Sequence, residues 1–189
     1  MNLIENFRAY RSKKLERVGR SLAGAGITAN HITALSFISG ISAMYFLFEN
    51  YYLFALFAAL HLTGDALDGV VARLHRPTRY GKYFDLLSDS IVTFLALIKV
   101  GFYVQDFYPF IAAGLFLTAL AINLRSGLQA PMFFMRTASL AVLLVATNPL
   151  FPFTKILLTA GYLVAGGVSL YSLARQLQWY LNKNKNSKY

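Results

Sequence analysis

Long stretches of this chain carry no charge, which restricts it to folds whose helices meet apolar surroundings on most sides. A helix that crosses a bilayer needs about twenty predominantly apolar residues. Six stretches approach that length: 32–48, 51–64, 83–103, 107–124, 131–147 and 156–174. Within them the only charges after Asp85 and Asp89 are Lys99 and Arg136. The connections are short, so neighbouring helices should run antiparallel. Composition agrees: 57% of residues are hydrophobic and 14% charged, whereas a soluble domain carries about 25% charged residues. The expected fold is an all-α integral membrane protein with six transmembrane helices. The absence of cysteine excludes disulfides, zinc–cysteine sites and a thiol nucleophile.

The formal net charge is +10, and the basic residues are unevenly placed. Sixteen of the eighteen Lys and Arg fall before the first stretch, in or beside alternate connections, or after the last one; Lys99 and Lys155 are the two exceptions. Basic loops face the cytoplasm, so both termini are expected there. The opposite turns, around Glu49–Tyr52 and Tyr103–Pro109, are short and aromatic, as an interfacial belt would be. An apolar body with a basic surplus fits an anionic leaflet better than nucleic acid. Leu3, Ile4, Phe7, Tyr10, Leu15, Val18 and Leu22 recur at helical spacing between Arg and Lys. They predict an amphipathic interfacial helix over 1–27 rather than a cleavable signal peptide. A six-helix domain over 28–182 and a polar tail over 183–189 complete the expected organisation.

Four of the eight acidic residues, Asp65, Asp68, Asp85 and Asp89, sit where a membrane penalises charge. Each costs about 2.5–3.5 kcal/mol near a bilayer centre, so something must offset them. Arg73 alone is one charge against four. Asp65 and Asp68 are spaced i,i+3 and Asp85 and Asp89 i,i+4, so each pair shares a helix face. Both cross-pairs, 68 with 85 and 65 with 89, have their midpoint at Arg76–Pro77, inside a segment (75–80) that reads as a hairpin turn. Folding there brings four carboxylates to one site. Hard oxygen donors at this density suit Mg²⁺ or Mn²⁺, often shared with phosphate. A polar channel-lining face is the plainer alternative. Gly69 and Ala72 form a small-residue face, Arg73 can fork onto phosphate, and Gly81 opens the next helix; helix packing would also use such glycines.

Residues 65–73 (Asp-Ala-Leu-Asp-Gly-Val-Val-Ala-Arg) and 81–89 (Gly-Lys-Tyr-Phe-Asp-Leu-Leu-Ser-Asp) closely resemble the signature of CDP-alcohol phosphotransferases. Every fixed position of D-x2-D-G-x2-A-R and G-x3-D-x3-D is present, although seven residues separate the halves where eight are usual. Residues 28–33 (Thr-Ala-Asn-His-Ile-Thr) resemble the family's T-P-N-x-x-T, with Ala29 in place of Pro. The resemblance implies transfer of the phosphoryl-lipid group of a CDP-linked lipid to a small alcohol, releasing CMP in phospholipid synthesis. It implies two divalent ions held by Asp65, Asp68 and Asp85, with Asp89 assisting and serving as the general base. It also implies that Gly69, Ala72, Arg73, Thr78 and Gly81 contact the CDP group, and Asn30 and Thr33 its lipid-side phosphate. The implied enzyme is a homodimer in the cell membrane with its active site facing the cytoplasm.

Arg125 and Arg136 flank the connection between the fourth and fifth stretches. Pointing inward they would bind a second phosphate, which favours glycerol phosphate or inositol phosphate as acceptor; pointing outward they would reach lipid headgroups. A non-phosphorylated acceptor such as serine is the other option. An intramembrane prenyl transferase or a cation transporter accounts for paired aspartates but not for the Gly-x-x-Ala-Arg segment. His31, His61 and His75 show no metal-like spacing; His61, one turn before Asp65, reads chiefly as a packed polar residue.

Overall fold

Uncharged helices become a bundle only where the chain can turn and where helices approach closely, and both requirements are met by small or capping residues. The computed structural model describes residues 15–75, 78–133 and 136–186, and all regular structure among them is helical. Seven helices follow in order: α1 (15–24), α2 (Ala29–Phe46), α3 (Tyr51–His75), α4 (Arg79–Val104), α5 (Tyr108–Arg125), α6 (Arg136–Ala146) and α7 (Thr154–Asn186). The chain divides into two compact units.

The first unit holds α1, α2 as far as Tyr45, α3 from Tyr52, and α4 as far as Asp89. The expected amphipathic helix lies largely outside the described residues; its described part, 15–24, is helical and Gly26 then turns the chain at φ 79°. That φ favours glycine, which lacks the Cβ that would clash. Gly19 admits α1 to α3, because a Cβ there would stand 2.7 Å from Val70 Cγ1. Buried on α2 are Ile32, Thr33, Ser36, Ser39, Gly40, Ala43 and Met44, while Leu35, Ile38 and Tyr45 are exposed. This is the reverse of a soluble helix: small and polar residues face inward and large apolar ones outward. The small face lets α2 approach α3, where a Gly64 Cβ would lie 2.8 Å from Ser36 Cβ. The Ser36 hydroxyl lies 2.8 Å from the His61 carbonyl and 3.0 Å from its Nδ1. His61 is thus the packed polar residue that its isolation in the sequence suggests.

The second unit holds Phe46–Tyr51 and the described residues from Ser90 onward. Its helices also meet at small residues: Gly166 against Ala112 joins α7 to α5, and Gly161 against Val142 joins α7 to α6. A Cβ on Gly101 would strike the Phe110 ring at 2.7 Å. The α4–α5 turn is locked by Asp106, which accepts hydrogen bonds from the Tyr108 N–H (3.2 Å) and the Tyr162 hydroxyl (2.5 Å). The Tyr162 bond is the largest of the influences that hold the Asp106 carboxyl below its ordinary range, ahead of the backbone N–H groups of Tyr108 and Phe107. Lys99 donates to the Leu47 carbonyl at 3.0 Å.

Among the described residues, four helices are long and apolar enough to cross a membrane: Tyr51–Leu74, Arg79–Val104, Tyr108–Arg125 and Thr154–Lys183. The other two expected spans differ in kind. α2 is uncharged but diluted by Asn30, His31, Thr33 and serines. α6 has 11 residues, about 16 Å at 1.5 Å per residue, half the hydrocarbon thickness. The second and third spans extend beyond their expected limits: α3 continues through Asp65 and Asp68 to His75, and α4 starts at Arg79. A carboxylate does not break a helix, so the aspartates lie within helices rather than at their ends. α7 runs to Asn186, through most of the tail expected to be frayed; there Lys183 sits 4.8 Å over the Trp179 ring, one turn back.

Gly64→Val should force α2 away from α3 and destabilise the fold by about 1–3 kcal/mol, read as a lower thermal midpoint in detergent. Gly114→Ala, where a Cβ meets nothing within 4 Å, should leave the midpoint unchanged.

Candidate active site

The first unit converges on one cavity. Asp65 and Asp68 lie one turn apart on α3, and Asp85 comes from α4. Each offers a carboxylate oxygen within 4.8 Å of the others. Asp68 is buried, and Asp65 and Asp85 are half-buried. The Thr33 hydroxyl, from α2, donates to Asp68 Oδ2 at 2.6 Å. Three helices therefore build the group, and the expected pairing of 68 with 85 is present. Asp89, one turn further along α4, is half-buried and stands outside the triad. Three carboxylates this close repel one another when ionised. A divalent cation turns the same arrangement into a ligand set, and all-oxygen donors fit Mg²⁺ or Mn²⁺.

Beside the triad lies a cavity of about 300 Å³ lined by Asn30, Thr33, Asp68, Gly69, Ala72, Thr78, Gly81 and Asp85, together with Thr28, Ala29 and Lys82. Two helices begin at this cavity. Thr78 caps α4: its Oγ1 accepts the Gly81 N–H at 3.0 Å. Thr28 caps α2 in the same manner, its Oγ1 lying 3.4 Å from the His31 N–H, while His31 Nδ1 lies 3.4 Å from the Thr28 N–H. The reciprocal pair follows the logic of a capping box. It also explains why Ala29 can replace proline: it occupies the first helical position, which Thr28 already fixes. Helix N-termini present free N–H groups and a positive dipole end, a setting that favours phosphate.

The glycines have separate reasons. A Cβ on Gly81 would stand 3.0 Å from both Asn30 Oδ1 and Thr78 Oγ1, so a larger residue would push the two helix starts apart. At Gly69 the nearest atom to a Cβ is Arg73 Nη1 at 3.8 Å, so that position faces open cavity with the guanidinium alongside. Arg73 itself is exposed. Arg125 and Arg136 belong to the second unit; Arg125 is exposed at the end of α5, and Arg136 is buried at the start of α6. Thr28 and Ala29, part of the 28–33 motif, and Lys82 were not among the site residues expected from sequence. Thr28 was legible as a Thr just before an apolar run, whereas Lys82 occupies a variable place in the motif and carries no signal of its own.

Residues 26–177 match the CDP-alcohol phosphatidyltransferase family. The chain belongs to that family. Among curated relatives, an archaetidylinositol phosphate synthase of Pyrococcus horikoshii is 33% identical over 98 residues, covering 49% of this chain and 52% of the relative. A CDP-diacylglycerol–glycerol-3-phosphate 3-phosphatidyltransferase of Aquifex aeolicus is 40% identical over 65 residues, covering 33% and 36%. The chain thus spans about half the length of the first relative and about a third of the second. No solved structure matches it. CDP-alcohol phosphatidyltransferases use divalent metals, and the Asp65–Asp68–Asp85 group is a donor set that can hold one. The four apolar helices and the family together describe a multi-pass membrane protein.

Mg²⁺ or Mn²⁺ should raise the thermal midpoint of the purified protein, since a ligand at 100 times its Kd adds about 2.7 kcal/mol. Asp68→Asn should abolish that rise and Glu49→Gln should preserve it. A wild-type midpoint indifferent to both ions would argue against a metal centre.

Proposed function

We propose that this chain transfers the phosphoryl-lipid group of a CDP-linked lipid, diacylglycerol or ether, to the hydroxyl of a phosphorylated small alcohol, releasing CMP. The observation that carries the reading is one cavity where Asp68 and Asp85 of the aspartate triad, two capped helix starts and the Gly69–Ala72 face meet. Asp68 and Asp85 line that cavity together with Lys82 and the capped starts of α2 and α4, and Arg73 stands beside Gly69. A diphosphate matches this polarity, with its negative oxygens towards the helix starts and towards any cation on the acids. Asn30, Thr33, Gly69, Ala72, Arg73, Thr78 and Gly81 are the cytidine-diphosphate ligands in this reading, and Gly69 leaves room for the nucleotide. Thr33 has a second task, holding Asp68 in place through its hydroxyl.

Asp65, Asp68 and Asp85 would hold the metal, with Asp89 able to join them for a second ion. When bound, such a cation supplies charge neutralisation for the departing CMP. Asp89, outside the triad, is the residue left to accept the proton of the acceptor hydroxyl. The acceptor oxygen then forms a bond to the lipid-side phosphorus, the diphosphate P–O bond breaks, and CMP departs with the bridging oxygen. A positioned base contributes about 10²–10⁴-fold to such a step.

A phosphorylated acceptor is favoured because the names of both relatives carry one, inositol phosphate and glycerol 3-phosphate. Arg125 and Arg136 are assigned to its phosphate on charge and chemistry; burial makes Arg136 the stronger candidate, and exposed Arg125 suits headgroups as well. For topology, the inverted polarity of α2 supports a fifth span, and α6 with its flanking apolar residues supplies a short sixth. The distribution of Lys and Arg supports a topology with both termini and the active site on the cytoplasmic side. A homodimer completes the proposal.

Purified protein given CDP-diacylglycerol and a panel of alcohols should release CMP with glycerol 3-phosphate or inositol phosphate and not with serine. Release with serine alone would reverse the acceptor assignment, and none with any acceptor would end the proposal. Asp89→Asn should keep CDP-lipid binding while transfer falls by at least about 10²-fold. Arg136→Ala should raise the KM of the phosphorylated acceptor.

A further inference from the structure

The turn between α2 and α3 is held more firmly than a helix connection requires. A few residues with a glycine at the helix end suffice for such a turn; here Phe48 takes the left-handed conformation, at φ 70°. A bulky residue adopts that backbone only where its surroundings impose it. From α4, Lys99 donates to the Leu47 carbonyl at 3.0 Å. Also from α4, the Tyr103 ring stacks on the Phe48 ring, with centroids 3.9 Å apart and planes 6° from parallel. Just after α6, the Asn148 side-chain amide donates to the Tyr51 hydroxyl at 3.1 Å. Lys99 stands within a long apolar helix, where an ionisable group is costly and by default marks a functional region.

The turn so held lines a cavity of about 180 Å³. Phe48, Glu49 and Tyr51 meet there with Tyr103, Thr147 and Thr154, the last at the start of α7, and all six belong to the second unit. The volume equals the share of about six liquid waters, room for a head of a few heavy atoms. Glu49 is the charged residue of the lining; Lys99 and Lys155 are close along the chain or in the turn but do not line it. Among the described residues no ion pair engages the Glu49 carboxylate. The Thr147 hydroxyl donates to the Leu143 carbonyl at 2.7 Å, which leaves its oxygen as an acceptor. The lining thus combines a carboxylate, hydroxyl acceptors and aromatic rings. A primary ammonium, with three N–H donors and a charge that ring faces attract, complements that set; an anion would meet Glu49 as a like charge. The aromatic turns at 49–52 and 103–109 read from sequence as an interfacial belt, the depth of phospholipid headgroups.

We propose that this cavity binds a primary ammonium group, with Glu49 as its counter-charge, Thr147 and Thr154 as hydroxyl acceptors and the rings of Phe48, Tyr51 and Tyr103 around it. Lys99 is a positioning residue that keeps the turn in shape for this ligand. Such a group has two sources, the head of an ethanolamine phospholipid or a free amine, and the interfacial depth of the turns favours the lipid. The site lies wholly in the second unit and is independent of the transfer reaction proposed above.

The test uses the full-length protein in detergent at constant salt, given equal amounts of phosphatidylethanolamine, phosphatidylcholine and phosphatidylglycerol, with retained lipid read by native mass spectrometry. Phosphatidylethanolamine should be retained about tenfold over the other two, the scale of one hydrogen bond to a charged group. Glu49→Gln should abolish that preference while keeping the wild-type thermal midpoint in the absence of lipid. Thr147→Val, which keeps the shape and removes the acceptor, should weaken it about threefold. Free ethanolamine should displace the retained lipid. No lipid preference, but a midpoint that ethanolamine raises in wild type and not in Glu49→Gln, would keep the ammonium site and assign it to a free amine. Equal retention of ethanolamine and choline lipids with no response to ethanolamine, or a Glu49→Gln variant that binds as wild type does, would overturn the proposal.

Discussion

Mutual repulsion among Asp65, Asp68 and Asp85 is the constraint on which the rest of the first unit depends. Carboxylate oxygens held within 4.8 Å of one another, on helices apolar enough to cross a bilayer, are stable only where the fold keeps them there and a counter-charge rewards it. The fold's share is visible. Thr33 donates to the buried Asp68, and the α2–α3 contact that brings Thr33 there depends on Ser36 and Gly64 meeting without a side chain between them. The family uses divalent metals, and these three carboxylates are a donor set that can hold such a counter-charge.

Close approach through small residues recurs in both units. Gly19, Gly64 and Gly81 serve the first, and Gly101, Gly161 and Gly166 the second. Hydrocarbon is as apolar as leucine, so burying large apolar residues gains little between helices in a membrane; packing of small surfaces and interhelical hydrogen bonds take over. That accounts for the serine-rich inward face of α2 and for Leu35, Ile38 and Tyr45 on its outward face. The same economy leaves room for function, because a bundle built from small residues already contains a slot that a substrate can enter.

Much of the site was legible beforehand because it is local. Helical periodicity puts Asp65 and Asp68 on one face, and a hairpin centred near Arg76–Pro77 brings Asp85 opposite Asp68, as found. Asp89, one turn further along α4, falls outside the group of three that gather. Midpoint arithmetic treats two helices as a flat ladder, whereas each turns by 100° per residue, so equal height does not guarantee equal facing. Helix limits were misjudged for a related reason. Hydropathy ends a span at the first carboxylate, yet the backbone hydrogen bonds of α3 continue to His75.

The sequence by itself determined the helical class, the membrane setting and the identity of the acidic cluster, since these follow from composition and from spacings of three and four residues within one helix. Only the tertiary structure decided that Thr33 orients Asp68, that Thr28 and Thr78 open two helix starts onto one cavity with Lys82 beside them, and that Lys99, Tyr103 and Asn148 hold the turn that carries Glu49. Those relations join residues distant along the chain. Their physical basis is the angle at which each helix presents its side chains to its neighbours, which packing settles and no local spacing records.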